Sequence, residues 1–247
     1  MPPIFKKKYL YDSVVKSFDY AKEEYGISSL PKQGIIIYPY EFGILKEVLE
    51  KFKFTFKKNK KFISVENKLA IGISSTSAPN AAACVDEMAA LGCESVINIG
   101  VAGSLSLETK IGDIVLCDKA LRDEGVSYHY IKPNKFAYPS LDLNSYIKRI
   151  FYKNDVKFKE ASSWTTDAPY RETNAEIKKY FKEGILTVEM EASAVFSVAD
   201  YYKVKSASVF VISDIVCENK WDRNFNSKKV KDSLYNIFSV ILKGYSV

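Results

Sequence analysis

One histidine and four dispersed cysteines among 247 residues leave almost nothing from which to build a zinc site. Cys84, Cys93, Cys117 and Cys217 contain no Cys-x-x-Cys pair, and tetrahedral zinc needs closely spaced thiolates or imidazoles. Cys84 and Cys117 sit in apolar stretches, where a thiol acts as a small core residue. Long apolar runs are missing too, since none approaches the roughly 20 residues of a membrane-spanning helix. The opening MPPIFKKKYLYDSVV has basic residues but no continuous apolar stretch and no small-residue cleavage site, so no secretory leader is expected. Neither the dinucleotide-binding glycine pattern nor the P-loop occurs. Internal repeats, low-complexity tracts and Pro/Gly-rich linkers are absent. A cytoplasmic protein without metal or organic cofactor is the expectation.

What is present has the balance of an ordinary globular chain: 47% hydrophobic and 27% charged residues, enough to bury one substantial core. One domain over 1–247, with a lead-in over 1–33, is expected. The formal charge of +6 comes mostly from scattered lysines, clustered at Lys6 to Lys8 and Lys57 to Lys61. These clusters lack interleaved aromatics, so they read as solvated faces and not as nucleic-acid or membrane contacts.

Strand-like and helix-like segments alternate along the chain. After a polar, helical lead-in, Gly34 to Pro39 reads as a buried strand and Phe42 to Phe52 as a helix. The stretch from Phe54 to Ser75 reads as two or three hairpin strands. Pro79 to Gly92 has proline at a helix start and glycine past its end. Glu94 to Gly100 and Gly112 to Leu121 read as buried strands, joined through a small-residue loop at Gly100, Ala102, Gly103 and Ser104. A helix near Leu143 to Tyr152, a strand near Lys159 to Trp164, a helix near Asn174 to Lys182 and a closing helix from Ser227 to Tyr245 follow. The pattern is that of an α/β sandwich around a mixed sheet.

Two carboxylate segments stand out. VEMEAS (Val188 to Ser193) places charge among Val, Met and Ala at the opening of an apolar helix, and ASVFVISD (Ala207 to Asp214) ends a buried strand on a carboxylate. Burying an unpaired ion is costly, and ligands of open α/β sheets bind at strand exits. Glu189 and Glu191 also fit a helix N-terminus stabilised by its dipole, and Asp214 fits a cap.

The order of these pieces resembles the nucleoside phosphorylase family, which includes uridine phosphorylases, hexameric-type purine nucleoside phosphorylases and methylthioadenosine nucleosidases. The matching segments are DEMAALG (Asp86 to Gly92), VINIGVAGSL (Val96 to Leu105), KIGDIVLCDKALRDEGVSYHY (Lys110 to Tyr130), VEMEAS and VFVISD. The resemblance implies a three-layer α/β/α sandwich with a central mixed sheet, a homo-oligomer (dimer or trimer of dimers), and cleavage of a nucleoside's N-glycosidic bond. It implies Met190 and Glu191, with Glu189, at the ribose, and Asp214 as hydrogen-bond partner or acid for a purine. Arg171, in TTDAPYRET, and Trp164 are the other candidates for the base, Arg171 on the pattern of uridine-cleaving members. His129 is a candidate for the 5′-hydroxyl.

The nucleophile's site departs from the family pattern. Phosphorolytic members carry a glycine-rich, arginine-containing loop after the first strand, where this chain has YPYEFG, and an arginine where it has Asn98. Phosphate binding without guanidinium groups is weak. Two readings of the chemistry follow. In one, Ser75, Thr76, Gly100 and Arg122 or Arg171 hold phosphate as co-substrate and the products are free base and ribose 1-phosphate. In the other, water attacks, with Asn98 as in nucleosidases and Glu41 as the base. A third reading, from a different class, is a non-catalytic nucleoside-binding protein.

Overall fold

The computed structural model describes residues 4–217 and 220–246; residues 1–3 of the expected lead-in and residue 247 lie outside them. Strands β1 (Gln33–Ile37), β2 (Phe56–Lys58), β3 (Phe62–Val65), β4 (Leu69–Ile73), β5 (Ser95–Ser104) and β6 (Ile114–Asp123) alternate with helices α1 (Ser17–Tyr25), α2 (Pro39–Lys51) and α3 (Ala78–Ala90). Then come β7 (Phe136–Ala137), α4 (Leu141–Lys153), β8 (Lys159–Thr166), α5 (Asn174–Lys182), β9 (Ile185–Glu189), α6 (Ala192–Tyr202), β10 (Lys205–Cys217), β11 (Lys220–Arg223) and α7 (Lys228–Ser246). All eleven strands join one mixed sheet.

The sheet is more curved than a flat sandwich. Strand β10 pairs with both β5 and β6, β8 pairs with both β6 and β9, and β9 pairs with β5, so five strands close on themselves. Two cores flank the sheet. On one side Ile36, Phe62, Val96 and Phe210 meet α3 and α6; on the other Ile35, Ile37, Ile97 and Val209 meet α2, α4 and α7. Adjacent strand residues point to opposite faces, so the Ile35, Ile36, Ile37 run serves both layers. A run apolar on both sides is what a strand covered by helices requires.

Several boundaries move. Helix α2 starts at Pro39, earlier than Phe42, because proline suits the first helical turn. The small residues Gly100, Ala102, Gly103 and Ser104 continue β5 instead of forming a loop, since β10 pairs with them to Ser104. The lead-in is helical over α1 but not polar: Ile4, Phe5, Leu10, Tyr11 and Val14 are exposed. Among the described residues no helix is long and apolar enough to cross a membrane.

Helix α6 is buried from Ala192 through Ala199. A helix apolar on all sides belongs inside a core, and here it lies between α3 and the sheet, so its N-terminus is fixed at the strand ends. Truncating its largest core side chain, Phe196→Ala, is expected to lower unfolding stability by about 3–5 kcal/mol. Urea denaturation measures this, and a loss below about 1 kcal/mol would mean the helix is not anchored as described.

Candidate functional site

A cavity of about 800 Å³ opens where β1, β5, β9 and β10 end. Five carboxylates line it: Glu41, Glu172, Glu189, Glu191 and Asp214. Tyr38, Tyr40, Tyr170, Trp221 and Phe225 supply aromatic walls, and among the described residues no lysine or arginine lines it.

Glu189 ends β9 and is the internal brace. Its Oε1 accepts from the hydroxyls of Thr165 (2.6 Å) and Ser163 (3.1 Å), and its Oε2 from the backbone N–H groups of Glu191 (2.8 Å) and Ala192 (2.6 Å). Four donors leave it little capacity for a ligand, so the ribose contact expected of Glu189 gives way to a supporting role at the start of α6. Burial pushes its carboxyl up, against the pull of those donors.

Glu191 is the N-cap residue of α6. Its Oε1 accepts from Ser77 N–H at 2.9 Å and its Oε2 from Met190 N–H at 3.2 Å. Ser77 stands at φ 140°, a backbone conformation costly for a non-glycine residue, and that strain aims its N–H at Glu191. Burial, and next the charge of Glu189, raise the Glu191 carboxyl above the usual range. Met190 lies beside it on the cavity wall.

Asp214 reaches the cavity through a register shift. Between Ile212 and Asp214, β10 slips against β5, and such a bulge re-aims side chains; Ser213 and Asp214 both line the cavity. The carboxyl accepts from Ser213 Oγ at 2.7 Å and from Trp221 Nε1 at 2.8 Å. Burial raises it, and these two donors pull it back.

Glu41, in the first turn of α2, is only 2% exposed, and its Oε2 has no hydrogen-bond partner. Burial pushes it up to about 7. Glu172 reaches about 7 through burial and then the nearby Asp214 charge. Thr76 completes the lining beside Glu41, whereas Ser75 is exposed and does not line the cavity.

Other expected site residues go elsewhere. Trp164 is core: it is 1% exposed, donates to Asp123 at 2.9 Å and packs edge-on against Tyr180. Arg171 is exposed at the end of a 3₁₀ turn and does not line the cavity. Arg122 is buried and organises the loop after β6, donating to Ser127 Oγ at 2.9 Å and to the Lys132 carbonyl at 2.8 Å, with its guanidinium over Tyr128. Glu124, on the same loop, accepts from Ser127 N–H and Ser193 Oγ. Asn98 accepts from the Tyr38 hydroxyl at 2.6 Å and donates to Ser208, and the Tyr38 ring lies against Gly100, where an added Cβ would sit 3.3 Å from it. Asn98 and Gly100 thus carry Tyr38 and do not face the cavity. His129 lies in a separate groove of about 1180 Å³ under the N-terminal segment, its Nδ1 3.0 Å from Lys8 Nζ. Two of that groove's acids are engaged: Asp86 accepts from the Tyr130 and Tyr202 hydroxyls, and Glu87 pairs with Lys61.

Sequence reasoning missed Glu172, Tyr40, Trp221 and Phe225. Glu172 sat in view in TTDAPYRET beside Arg171; Trp221 and Phe225 carry no signal short of knowing that β11 folds back onto β10.

Comparison with known proteins bears on the family and the fold. A model of the phosphorylase superfamily matches residues 39–243. A purine nucleoside phosphorylase of Plasmodium vivax is 26% identical over 190 residues, covering 75% of this chain and 74% of that one. Among solved structures, a uridine phosphorylase from Vibrio fischeri superposes with TM-score 0.71 at 21% identity, covering 88% of this chain and 92% of that one. A Campylobacter jejuni 5′-methylthioadenosine/S-adenosyl homocysteine nucleosidase gives 0.69 at 20% identity, covering 86% and 98%. At such identities the structures share the fold.

The raised carboxyls set the sign of the pH dependence. A group at about 7 when folded and at 4.5 when unfolded binds more protons in the folded state between those values. Stability is therefore present at low pH in that window and is lost as pH rises through about 7. The thermal midpoint is expected to be lower at pH 8 than at pH 5.5. Glu41→Gln should flatten that slope by on the order of 2–3 kcal/mol; an unchanged slope by calorimetry would place Glu41 outside the cluster.

Proposed function

The chain belongs to the phosphorylase superfamily, and from that premise we propose that it cleaves the N-glycosidic bond of a nucleoside, releasing the free base. The observation that carries this reading is that Glu191, Met190 and Asp214 line one cavity.

In this reading the ribose lies on Met190 with its hydroxyls at Glu191. As the C1′–N bond breaks, its electron pair goes to the base and positive charge gathers on the ribosyl ring. A Glu191 carboxylate with the ribose hydroxyls held against it interacts more strongly with that developing charge than with the neutral sugar, so it favours the transition state over the ground state. Asp214 gives its proton to a ring nitrogen, and the base departs neutral. A carboxyl acid suits a purine, and with Arg171 outside the cavity the purine side of the two expectations has the better support.

For the attacking group, phosphorolysis to ribose 1-phosphate has the support of the superfamily and of the P. vivax relative's name. The hydroxyl of Thr76 and the N-terminus of α3 are the available phosphate donors. A cationic partner would then come from a second copy of the chain, in keeping with the expected homo-oligomer. Hydrolysis is a second reading with its own observation: a cavity of carboxylates without lysine or arginine repels a dianion, while Glu41, buried, unpartnered and raised to about 7, has the properties of a base for water.

The test is release of base from inosine, guanosine, adenosine, uridine and methylthioadenosine, with and without phosphate, followed by chromatography. Release that requires phosphate supports phosphorolysis, and release without it supports hydrolysis. Asp214→Asn is expected to slow purine release about 10²- to 10⁴-fold. Under the hydrolytic reading Glu41→Gln abolishes turnover, and under the phosphorolytic one it does not. Binding of these nucleosides without release from any of them would favour the non-catalytic reading.

A further inference from the structure

Both oxygens of the Asp214 carboxyl already accept a hydrogen bond: Oδ1 from Ser213 Oγ at 2.7 Å, Oδ2 from Trp221 Nε1 at 2.8 Å. An acid that protonates a leaving base needs one oxygen facing that base, and with one donor apiece each oxygen keeps a second lone-pair site for the proton. The two donors are unequal. Ser213 is wholly buried, is adjacent in the chain, and has its hydroxyl also within 3.4 Å of the Ala102 carbonyl. Trp221 is 50% exposed on β11, an edge strand, and its ring meets Phe225 and the Arg223 guanidinium, both at or beyond the same strand. Beside Oδ2 the structure keeps space: a Cβ on Gly103 would lie 3.2 Å from that oxygen and 2.9 Å from Val216.

We propose that Trp221 is a positioning residue for the acid: its indole N–H holds Asp214 Oδ2 toward the cavity and leaves that oxygen's other lone-pair site for the proton that goes to the ring nitrogen of the leaving base. This rests on the reading of Asp214 as general acid. The step balances simply. The glycosidic electron pair goes to the base, the carboxyl proton moves from Oδ2 to the base nitrogen, and the carboxylate so formed keeps the indole N–H, while the nucleophile's oxygen bonds to C1′. Trp221 thereby stabilises the ionised form of Asp214 that the step produces, as its hydrogen bond already lowers that carboxyl against the effect of burial. Other charged groups act on the same carboxyl: Glu172 before α5, Arg223 opposite it in the β10–β11 ladder, and Glu189, Glu191 and Glu41 across the cavity. Changing Trp221 to Phe alters the charge of none of them, though the Arg223 guanidinium also lies over the Trp221 ring.

The variant Trp221→Phe keeps an aromatic ring while removing the N–H donor together with the indole's second ring. With inosine as substrate the alkaline limb of kcat/KM is expected to move up by about one pH unit. With 7-methylinosine, whose base leaves neutral without a proton, the limb should not respond to the substitution. An activity-independent readout accompanies it: the parent-minus-variant fluorescence isolates Trp221, and its pH titration should be lost in Asp214→Asn. An unmoved limb with inosine, an equal shift with 7-methylinosine, or a titration that persists without Asp214 would overturn the proposal. Failure of the parent protein to cleave any nucleoside would overturn the assigned role of Asp214 and this inference with it, an outcome distinguishable from failure of the inference alone.

Discussion

Four hydrogen bonds converging on the buried Glu189 carboxylate hold the site together. Two come from hydroxyls on β8 and two from the first N–H groups at the start of α6, so one side chain ties the end of β9 to a neighbouring strand and to a helix. The donors are orphans of a helix terminus that must be satisfied somewhere, and a carboxylate there also meets the favourable end of the helix dipole. Ser193 extends the knot: its N–H reaches Thr165 Oγ1 and its hydroxyl reaches Glu124. The result is that Glu191, two residues on, is presented to the cavity on a rigid support, with strained Ser77 locking one of its oxygens.

From that arrangement follows the electrostatic character of the cavity. Five carboxylates share a volume of about 800 Å³ without a cationic side chain among the described lining residues. Burial raises Glu41, Glu172, Glu189, Glu191 and Asp214 alike. Such a site spends folding stability to keep protons where they are available, and its gain comes when positive charge develops in the middle of it. A ribosyl group losing its base develops that charge. The aromatic walls contribute flat apolar surface suited to a base ring.

Much of the fold could be read from the chain because its patterns are strong. The isoleucine run at Ile35 to Ile37, the proline and glycine bracketing α3, and the amphipathic tail each obey one local rule. VEMEAS and VFVISD were legible as sites because charge amid apolar neighbours demands an explanation. What the sequence hid depends on distance. Trp164 is the tryptophan expected at the base, yet it is sealed against Tyr180 while Trp221 lines the cavity, a difference set by strand pairing. Arg122, Asn98, Gly100 and His129 belong to resembling segments but serve internal contacts here: Arg122 a loop, Asn98 and Gly100 the support of Tyr38, His129 the N-terminal segment. Glu41 shows the reverse case, since the early start of α2 turns the residue expected as a base for water into the cavity.

The central claim is that these buried carboxyls recognise positive charge at the ribosyl position. It is tested most directly by calorimetric binding of two nucleoside analogues of equal shape, one with a protonated pyrrolidine in place of the ribose ring and one with a neutral carbocycle. The account predicts that the cation binds at least about 100-fold more tightly and that Glu191→Gln removes most of that preference. Equal affinity for the two analogues would contradict it.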